Sequence, residues 1–224
     1  MRVKIQPGVR ETVVIVREDT PGDKQLVAYL VARTGVTSRP DAAMLRAGLA
    51  ALDLSLSDAQ VTDLLNYQAL IWKWNKVYNL TAVRDANEML THHLLDSLAV
   101  VAPLRRELAK LVLPEGQTQL SLLDVGAGAG LPGIVIAITC PNVSVTCVDT
   151  VAKKAAFIQQ VAATLRLPNL KGLHARVESL TQPYDVVCSR AFASLIDFTS
   201  WSKSALADHG VWMAMKGKQD RKSV

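Results

Sequence analysis

Aromatic residues make up 5% of this 224-residue chain, and cysteine occurs at three positions only, Cys140, Cys147 and Cys188. An odd number of thiols completes no disulfide framework, and their spacing fits no zinc motif, so buried apolar use in a reducing cytosol is expected. The opening stretch MRVKIQPGVRETVV lacks the apolar block of a secretion signal, and no apolar run reaches membrane-spanning length. Internal repeats and low-complexity tracts are absent. No Gly-Lys-Ser/Thr follows the glycine-rich segment near residue 126, which excludes a Walker-type phosphate loop. A cytoplasmic protein with no membrane segment and no metal is the expectation.

What is present is ample apolar material. Half the residues are hydrophobic, enough for a sizeable core, and 224 residues accommodate one full domain with an appendage. The net charge of +5 is compatible with a polyanionic partner such as RNA, though equally with an ordinary solvated surface.

Three regions differ in character. Residues 9–33 hold two β-rich runs, TVVIV and LVAYLV, around the turn cluster DTPGDK, which predicts a β-hairpin. Residues 40–113 have a helical pattern. Pro40 and Asp41 open one segment, and Ser57 with Asp58 caps a longer one carrying an apolar stripe of Leu64, Tyr67, Ile71, Trp74 and Tyr78. Asp85-Ala-Asn-Glu88 resembles a capping box ahead of a helix to about Val101. His92, His93 and Asp96 fall within one turn of that helix; without further ligands, a capping or inter-lobe hydrogen-bond role fits them better than a metal.

From Leu120 onward strands and helices alternate: LSLLDV, VSVTCVD, LKGLHARV, YDVVCSR and GVWMAMKG read as strands, with helices between. Such alternation predicts a doubly wound α/β fold with a parallel sheet, whose ligands sit at the carboxyl ends of the strands.

The glycine turn LLDVGAGAGLPG follows the first of these strands. Gly128, Gly130 and Gly133 match the dinucleotide fingerprint G-x-G-x-x-G, but the strand ends at Val125 and the turn begins at Gly126, out of phase with it. Asp124 would repel a pyrophosphate and suit the positive sulfonium and amino groups of S-adenosylmethionine. Asp149, closing VTCVDT, is placed to accept hydrogen bonds from the hydroxyls of a ribose, a feature of nicotinamide and methyl-donor sites alike. Together these favour S-adenosylmethionine as the ligand.

The stretches WKWNKVYNLTAVRD, HHLLDSL, LLDVGAGAGLPG, VDTVAKK, ARVES, CSRAFASL and AMKGK, in this order and spacing from about Asp41 to Lys218, resemble the bacterial glucose-inhibited division protein B family, the 16S rRNA guanine-N7 methyltransferases acting at guanine 527. The resemblance implies a class I, Rossmann-like methyltransferase fold with a helical N-terminal extension, S-adenosyl-L-methionine as methyl donor, and 16S rRNA or the small ribosomal subunit as partner. Carried over by motif, Gly126, Leu131, Asp149, Val177, Glu178 and Arg190 would form the donor pocket. Lys153, Arg176 and Lys216 are basic candidates for positioning the RNA, alongside Arg190. Attack by guanine N7, which carries a lone pair and no proton, asks for no catalytic base.

Two features depart from that family. The segment PGVRETVVIVREDTPGDKQLVAYLV resembles a short piece of the adenylation domain of nonribosomal peptide synthetases, without the rest of that domain. The family also continues beyond AMKGK, so a sheet truncated after its fifth strand is expected, with VWMAM as an apolar edge that destabilises the chain. The expected organisation is therefore a hairpin appendage at 1–36, a helical extension at 40–113 and a donor-binding domain at 118–224. Besides an active rRNA methyltransferase, three readings stay open: a non-catalytic remnant that binds donor or RNA, a nicotinamide oxidoreductase, and a peptide-synthetase fragment.

Overall fold

The computed structural model describes residues 9–20, 23–32, 42–83, 85–111, 117, 119–190, 192 and 194–215, the first two segments by their backbone. Strands β1 (Val9–Thr20) and β2 (Asp23–Ala32) pair antiparallel, with Val13 opposite Tyr29 and Ile15 opposite Val27. This is the hairpin read from the two β-rich runs.

The helical segment begins with α1 (Ala42–Ala51); Pro40 and Asp41, expected to open it, lie outside the described residues. Helix α2 (Asp58–Tyr78) starts at a full capping box: the Ser57 hydroxyl accepts from the Gln60 amide, and the Gln60 side chain accepts from the Ser57 amide. Val61, Leu64, Tyr67, Gln68, Ile71 and Asn75 form its buried face, at the spacing of a 3.6-residue repeat. Tyr78, read as the end of that stripe, is instead 40% exposed, because the helix stops there and Asn79 turns into the left-handed region.

The helix expected from Asp85 to Val101 is broken into α3 (Ala86–Met89), a π-helical turn (Leu90–Leu95) and α4 (Asp96–Leu98), followed by α5 (Val101–Leu108). Asp85 caps it as read, its carboxylate accepting from the Asn87 and Glu88 amides.

The remaining chain builds a five-stranded, wholly parallel sheet: β3 (Leu120–Val125), β4 (Val143–Asp149), β5 (Leu170–His174), β6 (Tyr184–Ser189) and β7 (Leu206–Ala214), in spatial order β5-β4-β3-β6-β7. The crossovers carry α6 (Gly133–Thr139), α7 (Ala152–Leu165) and α8 (Leu195–Ser202). β7 begins at Leu206, earlier than the GVWMAM run suggests. Leu206 pairs with Tyr184 and Val211 with Val186, so the intervening residues bulge, and His209 there meets the Asp185 carboxylate at 2.6 Å.

Every residue of α6 is buried, which overrides the weak helix propensity of GIVIAIT. One face packs on the sheet and the other on the helical segment, and one core runs from Leu45 and Leu64 through Ile134 and Ile136 to Val145 and Cys188. The two parts are also tied by hydrogen bonds. Gln60 Nε2 donates to the Ile138 carbonyl at 3.0 Å and Arg105 Nη2 to the Thr139 carbonyl at 2.9 Å, satisfying carbonyls at the end of α6. All three cysteines are buried and free. Among the described residues no helix is long and apolar enough to cross a membrane, and no three His, Cys, Asp or Glu side chains cluster as metal ligands.

Candidate functional site

Chain order runs outward from β3 to β4 and β5, then jumps back across β3 to β6. The carboxyl end of β3 is therefore the point where winding reverses, the place where open α/β sheets have their ligand crevice. Three of the elements singled out from sequence converge on it: the glycine turn after β3, Asp149 at the end of β4 and Arg190 just past β6.

The turn is shaped by left-handed backbone at Gly126 (φ +68°), Gly128 (φ +60°) and Gly130 (φ +89°), which residues with a Cβ adopt only with strain. Gly126 is exposed, and a Cβ placed on it would meet no atom within 4 Å, so the backbone borders open space at the turn's mouth. Gly133 serves the opposite purpose. A Cβ there would run into Cys147 Sγ and the Asp124 carboxylate, so this glycine lets α6 sit directly on the sheet. Leu131 is buried behind the turn and its amide bonds back to the Ala127 carbonyl at 3.0 Å.

The amides of the turn are largely consumed within it. Those of Gly126 and Ala127 donate to the Val148 carbonyl, Gly130 to Ala127, Ile134 to Gly130, Gly128 to Asp149 Oδ2 at 2.9 Å and Gly133 to Asp124 Oδ2 at 2.8 Å. A phosphate site at a helix N-terminus needs such amides aimed outward at the anion. Here the first amides of α6 point inward.

This corrects the reading of Asp124. Its side chain is wholly buried beneath the turn, with Oδ2 on the Gly133 amide. Burial pushes its pKa up to about 7, against the opposing pull of the Gly133 amide and the Arg190 charge. The case against pyrophosphate therefore rests on internally paired amides, and Asp124 contributes by occupying one of them.

Asp149 is 7% exposed. Its Oδ2 accepts from Gly128 and its Oδ1 from the Val151 amide at 2.9 Å, while Lys154 Nζ stands 3.8 Å away. A carboxylate offers about four lone-pair sites. Two amides thus orient it and leave acceptor capacity for hydroxyl donors. Lys154, rather than Lys153, is the lysine beside this acid; Lys153 is exposed on the first turn of α7.

Past β5, Val177 is buried while Glu178 is exposed on a 3-10 turn, its carboxylate 3.6 Å from the Arg176 guanidinium. Arg176 is therefore engaged with Glu178, and its side chain is 77% exposed. Lys216 lies outside the described residues.

Arg190 reaches across to the helical segment. Its Nη1 donates to the His92 carbonyl at 3.2 Å, Asp96 Oδ2 at 3.3 Å and Ser97 Oγ at 3.3 Å. The inter-lobe role expected of the HHLLD turn is thus met. His93, which is buried, contacts Thr81 Oγ1 through Nε2 at 2.6 Å, and burial lowers its pKa. Thr81 in turn donates its amide to Asn75 Oδ1 at 2.9 Å.

Sequence reasoning passed over one brace. Tyr67, read as part of an apolar stripe, is fully buried, and its hydroxyl donates to the Ala129 carbonyl of the glycine turn at 2.7 Å. A tyrosine at a core position is the signal that a polar partner is nearby.

A doubly wound parallel sheet with a glycine turn at its switch point, an acid closing the next strand and no outward phosphate nest defines a Rossmann-like methyltransferase fold. Known proteins narrow this further. The chain belongs to the rRNA small subunit methyltransferase G (GidB) family, whose pattern matches residues 60–224. It is 71% identical over 175 residues to the ribosomal RNA small subunit methyltransferase G of Polaromonas sp. (strain JS666 / ATCC BAA-500), covering 78% of this chain and 76% of that protein. Its similarity to the protein of the same name from Acidovorax sp. (strain JS42) is 64% over 185 residues, covering 80% of each.

Proposed function

We propose that the chain transfers a methyl group from S-adenosyl-L-methionine to N7 of a guanine in 16S rRNA, the position corresponding to guanine 527. The observation that carries this reading is the crevice at the β3 switch point, where an open glycine turn faces an oriented Asp149 and the amides suited to phosphate are already paired. Family membership supplies the reaction and the RNA class.

In this reading Gly126 lets the donor lie against the backbone, Asp149 accepts from its ribose hydroxyls, and Val177 and Glu178 border its adenine. Leu131 packs behind the turn, and Arg190 stands at the mouth. When bound, the donor supplies an electrophilic methyl group. Guanine N7 has an in-plane lone pair and no proton to lose, so the protein needs no general base; its contribution is to hold two reactants in line, an advantage of position. Residues 118–224 form the donor-binding part and residues 40–113 the helical part that braces it. Lys153, Arg176 and Lys216 are the candidates for gripping RNA phosphates, which would make binding salt-sensitive.

The test is product analysis. The protein is incubated with S-adenosylmethionine and either naked 16S rRNA or assembled small subunits lacking the modification, and the nucleosides are analysed. Appearance of 7-methylguanosine supports the reading, and the more reactive form is the natural substrate. Donor binding without product in either form means a binding protein without turnover.

A further inference from the structure

Three stretches that carry the family resemblance lie far apart in sequence yet meet in one hydrogen-bonded chain. Asn75 of WNKVYNLT accepts from the Thr81 amide, and Thr81 Oγ1 contacts His93 Nε2. His93 Nδ1 lies 3.1 Å from the His92 carbonyl, and that carbonyl accepts from Arg190 of CSRAF. The π-helical turn makes the last link. In a regular α-helix the His92 carbonyl would take the Asp96 amide; here that amide bonds to Thr91 and His93 instead, and the His92 carbonyl meets Arg190. Such single-turn π segments recur at functional sites because they re-aim a carbonyl or side chain.

Among the described residues, the three hydrogen bonds of the Arg190 guanidinium fall on one nitrogen, Nη1. They come from a carbonyl, the Ser97 hydroxyl and the Asp96 carboxylate. Ser97 is fully buried, whereas Asp96 is half exposed. A guanidinium is a planar fork of five donors, so engaging both hydrogens of one nitrogen, one of them shared between two acceptors, sets the plane and direction of the others. The side chain is 21% exposed and begins just past the carboxyl end of β6, beside the switch point. A guanidinium held in this way matches a carboxylate, which it binds through two parallel hydrogen bonds.

We infer that Asp96 is a positioning residue for the methyl donor: acting through Arg190, it aims the remaining guanidinium nitrogens at the carboxylate of the donor's amino-acid part. This rests on the donor-binding reading above. It makes the helical segment a determinant of how the donor's amino-acid end is held.

The test measures dissociation constants of S-adenosylhomocysteine and of 5′-methylthioadenosine, which lacks the amino-acid part. The proteins are wild type, Asp96→Asn, Asp96→Ala, Arg190→Ala and the Asp96→Ala/Arg190→Ala double variant, with melting curves as the control for folding. Loss of Asp96 is expected to weaken S-adenosylhomocysteine about three- to tenfold, the net scale of one ordinary hydrogen bond, because Asp96 acts only through Arg190. Methylthioadenosine affinity and melting should stay as in the wild type, and the double variant should bind like Arg190→Ala alone. Equal losses on both ligands, additive losses in the double variant, unchanged or tighter S-adenosylhomocysteine binding on loss of Asp96 each overturn the inference. A wild type that binds neither ligand overturns the donor reading itself, and the inference with it.

Discussion

The Tyr67 hydroxyl and the Ala129 carbonyl lie 2.7 Å apart in a fully buried setting, joining the middle of α2 to the glycine turn. Burial drives the Tyr67 pKa well up, so the group remains a donor at any physiological pH. Tyr67→Phe keeps the ring and strands a buried carbonyl, which costs about 1–3 kcal/mol. A melting point lower by about 2–10 °C is expected, together with weaker S-adenosylhomocysteine binding. Thermal unfolding and calorimetric titration of the one variant check both.

Two glycines of the turn separate stability from binding. Gly133→Ala pushes a methyl group into Cys147 and Asp124, and overpacking of this kind costs about 1–3 kcal/mol, read as a lowered melting point. Gly126→Val adds bulk facing open space at the crevice mouth, where its main effect falls on the ligand. Its donor affinity should drop steeply, while the stability lost is that of a left-handed residue with a Cβ, about 1–2 kcal/mol or somewhat more for a β-branched side chain.

In the proposed function Asp149 is the acid that accepts from the donor's ribose hydroxyls. Removing a charged acceptor from two hydroxyl donors is worth about 2–4 kcal/mol, so Asp149→Ala should weaken S-adenosylhomocysteine about a hundredfold. Asp149→Asn retains one acceptor oxygen and should lose less. Titration of the two variants side by side gives the order.

Asp124 makes stability depend on pH. Its folded pKa of about 7 lies above the unfolded value near 4, so the folded state binds the extra proton between them. The contribution is complete below the unfolded pKa and is lost as pH rises through 7. His93 has a lowered folded pKa, so its own contribution grows as pH rises toward the unfolded value near 6.5. Comparing wild type with Asp124→Asn isolates the carboxyl. The melting-point difference, variant minus wild type, should grow by the order of 5 °C from pH 5 to pH 8.

Much of this fold was legible because its signals are local. The strands LSLLDV and VSVTCVD are largely apolar and mostly buried because both faces of a parallel sheet are covered, and they end at Val125 and Asp149 as read. Ser57 and Asp85 announced their helices through capping chemistry, which depends on residues three apart. The turn at Gly126 and the strand end at Asp149 were legible because turn geometry and strand ends are written in neighbouring residues. What escaped depends on distant partners. No local pattern shows that the Tyr67 hydroxyl would reach Ala129, or that Asp124 would turn inward to Gly133. The π-helical turn is likewise invisible in LTHHLL, where the His92 carbonyl is met by Arg190, a side chain nearly 100 positions later. The start of β7 was misplaced for the same reason: Leu206 joins the sheet through its register with Tyr184, beyond a bulge.

The measurement that bears most directly on the account is thermal unfolding of the whole chain with saturating S-adenosylhomocysteine, with NADH and without ligand. A ligand at about 100 times its dissociation constant adds roughly 2.7 kcal/mol, a shift of about 5–10 °C for a chain of this size. The account predicts that shift with S-adenosylhomocysteine and none with NADH. A shift with NADH, or none with either, would contradict it.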